Sequence, residues 1–293
     1  MPFLSYEKFI PHPYESIRQG VLPSIVSEDA YASWVRKFDR IEDAETFRIS
    51  YDSDGFKVAG FMMKPVGATI GSHPLIVFNR GGRRRYGMVN VLTLNNLIYP
   101  LVQQGFIVLA SQYRGVDGGE GTDDFGGAEV MDIVHLLEAG KKIPEWDGRN
   151  SHLFGWSRGG MMTLLALKEG AKVNSAAIGA PLVDLTLSTG EQGRDEDWLL
   201  RALPEYKEHG FASLEARSAP YWIRKLRKTP LLVMHGDADI DVSILHSRHL
   251  AQKLTEHKHP HKFIEYPNGN HYLNPQRAEV LNEVSNWFAE YQT

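Results

Sequence analysis

The sequence predicts an α/β fold, a mostly parallel central sheet with helices on both faces, from three observations. Short apolar runs alternate with amphipathic stretches from position 74 onward, the pattern of βα units feeding a buried parallel sheet. One of those runs, HLFGW (152–156), passes straight into a helix-like stretch through a junction crowded with Gly155, Ser157, Gly159 and Gly160. The chain closes on Val280, Val284, Trp287 and Phe288, spaced to form one apolar helix face that packs back onto the sheet.

Taken in order, the first 45 residues read as an N-terminal helical arm, with Ser27 as the N-cap of EDAYASWVRKFDR. Positions 46–64 alternate in polarity around Asp54-Gly55, a hairpin signal that adds antiparallel strands at one edge. The expected strands of the sheet proper are PLIVF (74–78), FIVLA (106–110), HLFGW (152–156), SAAIGA (175–180), LLVMH (231–235) and KFIEY (262–266). Between them Leu94, Leu97, Ile98 and Leu101 mark one helix, stopped at Gly105, and Val130, Ile133, Val134 and Leu137 mark another before Gly140. Positions 182–227 lack strand runs and carry helical pieces such as DEDWLLRALPEYKEH, so they read as a small helical cap inserted over the carboxyl edge of the sheet. The organisation expected is an arm over 1–45 and one domain over 46–293 with that cap insert.

Composition narrows the function classes. A formal charge of -4 offers no broad attraction to nucleic acid or to an anionic membrane surface. The longest apolar runs, such as LIVF and LLVM, fall far short of the ~20 residues a membrane span needs. The N-terminus has no basic segment followed by an apolar one, so no secretory signal is expected. With no cysteine there is no disulfide, thiolate metal site or cysteine nucleophile, which fits a reducing compartment, and the expected location is cytoplasmic. The sequence carries no signature of oligomeric state.

The chemistry starts at Gly155-Trp156-Ser157-Arg158-Gly159. A strand ending in Gly-x-Ser-x-Gly and continuing as a helix is the pattern of a nucleophile elbow, where small neighbours let the serine project alone from a tight turn. The helix that follows sets its positive end near the hydroxyl, and the backbone N–H of Arg158 faces a developing oxyanion. The competing structural role for Ser157 is to cap that helix. A serine hydroxyl needs a base, and the base needs a carboxylate to orient it; on this architecture they follow in the order Ser, acid, His, on loops after later strands. GDADIDV follows LLVMH, and PNGNHYL follows KFIEY. Of the 12 histidines His271 alone lies just past a late strand and ahead of the last helix; His246 and His249 read as helix decoration and HKHPH (257–261) as a solvated loop. Asp237, Asp239 and Asp241 share the acid loop. They do not make an EF-hand, because Val242 and Arg248 occupy its glycine and glutamate positions, and no metal site or cofactor is expected.

GWSRGG, YRGVDGGEG (113–121), ARSAPYWIRKLRKTPLLVMHGDADIDV (216–242) and GNH (269–271) together resemble the catalytic domain of the prolyl oligopeptidase family, within the α/β-hydrolase superfamily. The resemblance runs from about position 45 to the end and implies the α/β-hydrolase fold. In that family the acid is the fifth residue of His-Gly-x-x-Asp-x-x-Val, which implies Asp239 counting from His235, with Asp237 or Asp241 in its place if the loop is shifted. The family's large peptidases place a β-propeller ahead of this domain; about 45 leading residues cannot form one, so the expectation is a chain without it. The paired-glutamate motif of its dipeptidyl members is not found.

The second oxyanion donor is expected in FNRGGRRRYG, where Gly82 supplies the N–H and Arg80 occupies the position of the family's Tyr or His, adding charge to the site or bracing the loop. Arg83, Arg84 and Arg85 read as a solvated turn before an anion pocket, Arg114 as a buried ion-pair partner, and GVDGGEGTDDFGG as a structural loop without nucleotide-binding spacing. Trp198, Phe211, Tyr221 and Trp222 either line an apolar substrate pocket or form the cap's own small core. The expected function is a serine hydrolase cleaving an ester or amide of a small molecule or short peptide through an acyl-enzyme on Ser157, Asp239 and His271. The rival is a catalytically silent ligand-binding protein on the same fold.

Overall fold

The computed structural model describes residues 3–12, 14, 27–188 and 196–293, which divide into two compact units. The first unit comprises Met1–Asp123, Met131–Ser151 and Thr293; the second comprises Asp124–Val130 and His152–Gln292.

In the first unit the strand order is β1-β2-β3-β5-β4. β1 (Ser5–Lys8), β2 (Ala44–Ser53), β3 (Phe56–Pro65) and β5 (Ile107–Ser111) pair antiparallel in succession, and β4 (His73–Asn79) pairs parallel with β5. The β2–β3 hairpin closes on two residues of positive φ, Asp54 at 54° and Gly55 at 81°, the backbone twist that two-residue hairpins favour. β1 corrects the reading of the arm as wholly helical. Its four side chains are all exposed, so no alternation marks it, and it is held by pairing Ser5–Lys8 with Ser50–Phe47 and by Tyr6 stacked on Phe47 at 4.3 Å. Helix α1 (Glu28–Asp39) follows, its N-cap Ser27 accepting from the Ala30 N–H as the sequence suggests.

A buried arginine organises the loop after β5. Arg114 donates to Asp132 Oδ1 through Nη2 (2.7 Å) and Nε (2.9 Å), and to exposed Asp54 at 2.9 Å. Asp132, on α2 (Val130–Gly140), also accepts from the Arg114 N–H and from Ser53. This is the buried ion pair expected of Arg114.

In the second unit β6 (Trp146–Trp156), whose chain begins in the first, β7 (Ser175–Gly179), β8 (Leu231–Gly236) and β9 (His261–Tyr266) run parallel in that order. β7 and β8 are buried at every residue, which is why they read as unbroken apolar runs rather than alternations. Helices α3 (Arg158–Lys168), α7 (Leu245–Glu256) and α8 (Arg277–Glu290) connect or close these strands. α8 buries Val280, Val284 and Phe288, and its Trp287 donates Nε1–H to the Ala176 carbonyl of β7. The cap carries α4 (Glu196–Ala202), α5 (Tyr206–His209) and α6 (Phe211–Arg217) among its described residues.

Because Asp132 satisfies a buried guanidinium at several points, removing it leaves that cation inadequately paired, a loss of about 3–5 kcal/mol. Asp132→Ala is expected to lower the unfolding free energy by that much, read as a lower urea midpoint at unchanged m; a midpoint unchanged from wild type would mean the pair adds nothing.

Candidate active site

Ser157 stands at the end of β6, where the backbone turns at φ 58°, ψ −124° into α3. L-residues rarely occupy that region, and a single strained residue of this kind costs about 1–3 kcal/mol. The turn persists because its neighbours fix it. The Ser157 N–H donates to the Gly179 carbonyl at 2.9 Å, and its carbonyl accepts from Gly160 at 2.9 Å and Leu182 at 3.1 Å. A Cβ at Gly155 would lie 2.2 Å from the Gly159 oxygen, and one at Gly160 would lie 2.4 Å from Pro181 Cβ, so the glycines are steric requirements. Ser157 makes no side-chain cap bond to α3, which sets aside the capping role, and it is half-buried among fully buried neighbours.

The acid and the imidazole come from the loops after β8 and β9, which are closed against each other. A Cβ at Gly236 would lie 2.0 Å from the Gly269 oxygen; Ala238 donates to that oxygen at 3.1 Å, and Asp237 accepts from the Asn268 N–H at 2.6 Å. Of the three aspartates it is Asp239 whose carboxylate meets the imidazole, with Oδ2 accepting from His271 Nδ1 at 2.8 Å. Its Oδ1 accepts from the N–H groups of Asp241 and Val242, both at 2.9 Å. Asp237 and Asp241 are exposed. With its Nδ1 proton directed at a carboxylate, His271 keeps Nε2 as its basic nitrogen. The His271 main chain is tied to the nucleophile strand, because Trp156 Nε1–H donates to its carbonyl at 3.0 Å.

Sequence reasoning used His235 only as the start of a motif. In the structure its Nε2 faces two acceptors, Asp239 Oδ2 and the Val242 carbonyl, both at 3.0 Å, so the proton sits there and Nδ1 accepts from Ser247 at 2.7 Å. A histidine ending a buried strand four residues before the acid was the available signal. Burial by itself would raise the Asp239 pKa, but the hydrogen bonds from His235 and His271, the His271 charge and the Val242 N–H together hold the carboxyl well below its usual range.

Residues 93–293 match the model of the prolyl oligopeptidase family, more than half of the chain. The chain belongs to that family. The chain is a serine-type hydrolase of that family. It is 29% identical over 243 residues to a Bacillus subtilis protein described as the uncharacterized peptidase YtmA, covering 82% of this chain and 92% of that one. It is also similar to the Pyrococcus horikoshii acylaminoacyl peptidase, with a TM-score of 0.71 at 17% identity, covering 87% of this chain and 43% of that one. For an acetyl xylan esterase from Paenibacillus the TM-score is 0.64 at 15% identity, covering 94% of this chain and 99% of that one. The fold is that of the α/β-hydrolases.

Other residues singled out in this prolyl oligopeptidase family member fall as follows. Arg158 is buried, its guanidinium on Glu129 at 2.7 Å and over the Phe125 ring at 4.6 Å, while its backbone opens α3 beside Ser157. Gly82, in the first unit, has φ 69°, and a Cβ there would lie 2.1 Å from the Tyr86 oxygen. Arg80 braces its loop: it donates to the carbonyls of Gln112, Gly81, Tyr86 and Arg84 and lies 4.0 Å from Asp123, which answers the choice between bracing and adding charge. Arg84 and Arg85 are exposed, whereas Arg83 is half-buried with its Nε out of solvent, so two of the three side chains fit a solvated turn.

Trp198 packs edge-on against Phe125 at 5.3 Å and is half-buried. Trp222 is buried, 5% exposed, with the Lys168 ammonium 4.7 Å from its ring. His246 and His249 are also more than decoration: His246 Nδ1 accepts from the Asp184 N–H and His249 Nδ1 meets the buried Asp184 carboxylate at 2.8 Å. HKHPH is not a solvated loop either, since buried His259 bonds the Thr229 carbonyl at 2.7 Å, its pKa pushed down by burial, and His261 opens β9. Ligand atoms of Asp239, Asp241 and His271 lie within 4.8 Å of one another, but Asp239 and His271 already spend them on each other. No helix among the described residues is long and apolar enough to cross a membrane.

A carboxyl held below its ordinary value of 3.8 contributes stability that is in place above about pH 4 and is lost as pH falls below it. Asp239→Asn is therefore expected to flatten stability against pH between about pH 5 and pH 3, measured by urea unfolding. Superimposable slopes for the two proteins would refute the assignment of Asp239 as a carboxylate stabilised in the folded state.

Proposed function

We propose that the chain hydrolyses short peptides or small acylated amines by an acyl-enzyme mechanism on Ser157, His271 and Asp239. The observation that carries this reading is the 2.8 Å contact from His271 Nδ1 to Asp239, which leaves Nε2 basic in the same unit as a serine hydroxyl held out on a strained turn. His271 takes the Ser157 proton as Oγ attacks the carbonyl carbon, Asp239 steadies the imidazolium, and the Arg158 N–H at the start of α3 donates a hydrogen bond to the oxyanion. Collapse of the tetrahedral intermediate sends the His271 proton to the leaving amine. Water, deprotonated by the same imidazole, then releases the acid.

Peptides are favoured because the YtmA protein, matched over 92% of its length, is described as a peptidase. Esters form the second reading, supported by the likeness to the acetyl xylan esterase over 99% of that chain; the same oxyanion chemistry serves both. The absence of cysteine supports a cytoplasmic setting.

A fluorophosphonate probe tests the assignment, because it reacts only with an activated serine. Wild type is expected to label, and Ser157→Ala to lose labelling and at least about 10⁴-fold in turnover while keeping its thermal transition. Labelling of the alanine variant would refute the assignment of the nucleophile. A panel of aminoacyl-p-nitroanilides and p-nitrophenyl esters then separates the peptide from the ester reading.

A further inference from the structure

We propose that Trp156 and Arg277 are positioning residues that register the His271 loop against the strand bearing Ser157; this rests on the reading of His271 as the base. Trp156 immediately precedes Ser157 and is buried. Its ring lies flat over Gly179, where a Cβ would stand 2.5 Å from Cζ3, so a side chain at that position would displace it. The edge of the indole gives its N–H to the His271 carbonyl at 3.0 Å. Its face takes the Arg277 guanidinium, 5.4 Å from the ring.

Arg277 completes the clamp from the other side. It opens α8, and its Nη2 donates to the Tyr272 carbonyl, next to His271, and to Asn274 Oδ1 at 2.9 Å. No carboxylate among the described residues pairs with it. A half-buried cation that turns Nη2 to loop oxygens and lies over an indole ring serves geometry and not charge balance, and burial lowers its pKa. The two side chains therefore hold consecutive carbonyls: Trp156, joined covalently to Ser157, takes that of His271, and Arg277, resting on the same indole, takes that of Tyr272. Asp239 fixes the direction of the imidazole; the clamp fixes where its backbone stands. A displacement of about 1 Å between base and nucleophile is enough to cost on the order of 100-fold in rate.

The test measures fluorophosphonate labelling rates, kcat, KM and thermal transitions of the full chain for Trp156→Phe, Arg277→Met, Arg277→Lys and the Trp156→Phe/Arg277→Met double variant. Trp156→Phe and Arg277→Met are expected to slow labelling and kcat together by on the order of tenfold, with KM within about twofold of wild type. Arg277→Lys, which keeps a cation over the indole, is expected to recover most of the loss. The double variant is expected to lose little more than the worse single, because both act on one loop. Labelling and kcat at wild-type values, losses confined to KM, or full additivity in the double variant would overturn the clamp. Should Trp156→Phe fail to fold, the Met and Lys variants at 277 decide by the same criteria. Ser157→Ala and His271→Ala run alongside: if either labels, the triad reading falls, whereas dead controls with fully active clamp variants sink the clamp alone.

Discussion

The site hangs from one backbone conformation, the positive-φ turn at Ser157. A hydroxyl is presented to solvent at the end of a buried strand only if the chain reverses there within a residue, and that reversal leaves no room for side chains at Gly155 and Gly160. The strain is compensated by hydrogen bonds on both sides of the peptide and by the burial of α3 along ten consecutive residues, Arg158 to Leu167. Because α3 is fixed, the Arg158 N–H is fixed with it, and in the proposed mechanism the turn that exposes the Ser157 hydroxyl also offers the oxyanion donor.

The second constraint is the Asp239 carboxylate, which meets four N–H groups: His235, His271, Asp241 and Val242. A buried carboxylate with this many donors is held as an anion over the working pH range, and its two oxygens are divided by function. Oδ1 folds the acid loop on itself, while Oδ2 receives both histidines. His235 has no free proton to give elsewhere, since Nε2–H is shared between Asp239 and the Val242 carbonyl. The buried donor that limits the acid's freedom to turn is thus on the very strand that delivers it.

Most of this was legible in the sequence because β4, β5, β7 and β8 are short, mainly buried apolar runs and because the elbow needs particular small residues at particular places. The hairpin was legible from Asp54-Gly55, whose conformations few other residues adopt. What escaped were elements whose cause lies in a partner far along the chain. β1 exposes all four of its side chains and exists through its pairing with β2. His246, His249 and His259 looked like surface residues because their polar partners, Asp184 and the Thr229 carbonyl, are 30 or more residues distant. For Trp222 the sequence leaves both alternatives standing, because an aromatic in a cap has no sequence mark separating lining from core.

The arginines explain why a motif-rich chain offers more candidate catalytic groups than it uses. Arg80, Arg114, Arg158 and Arg217 are all buried. Arg80 gathers four loop carbonyls, and Arg217 holds those of Phe125, Asp124 and Ser213. Arg158 sits between a carboxylate and an aromatic face. Five donors in a rigid fork let one guanidinium fasten several irregular backbone segments at once, which an ammonium with three mobile donors does less well. In a chain without a single cysteine no disulfide can take that part, and loops that carry functional groups still need fixing. A buried arginine beside a glycine-rich motif is therefore read here first as a fastener, and its neighbours' backbone, not its own charge, is where the chemistry lies.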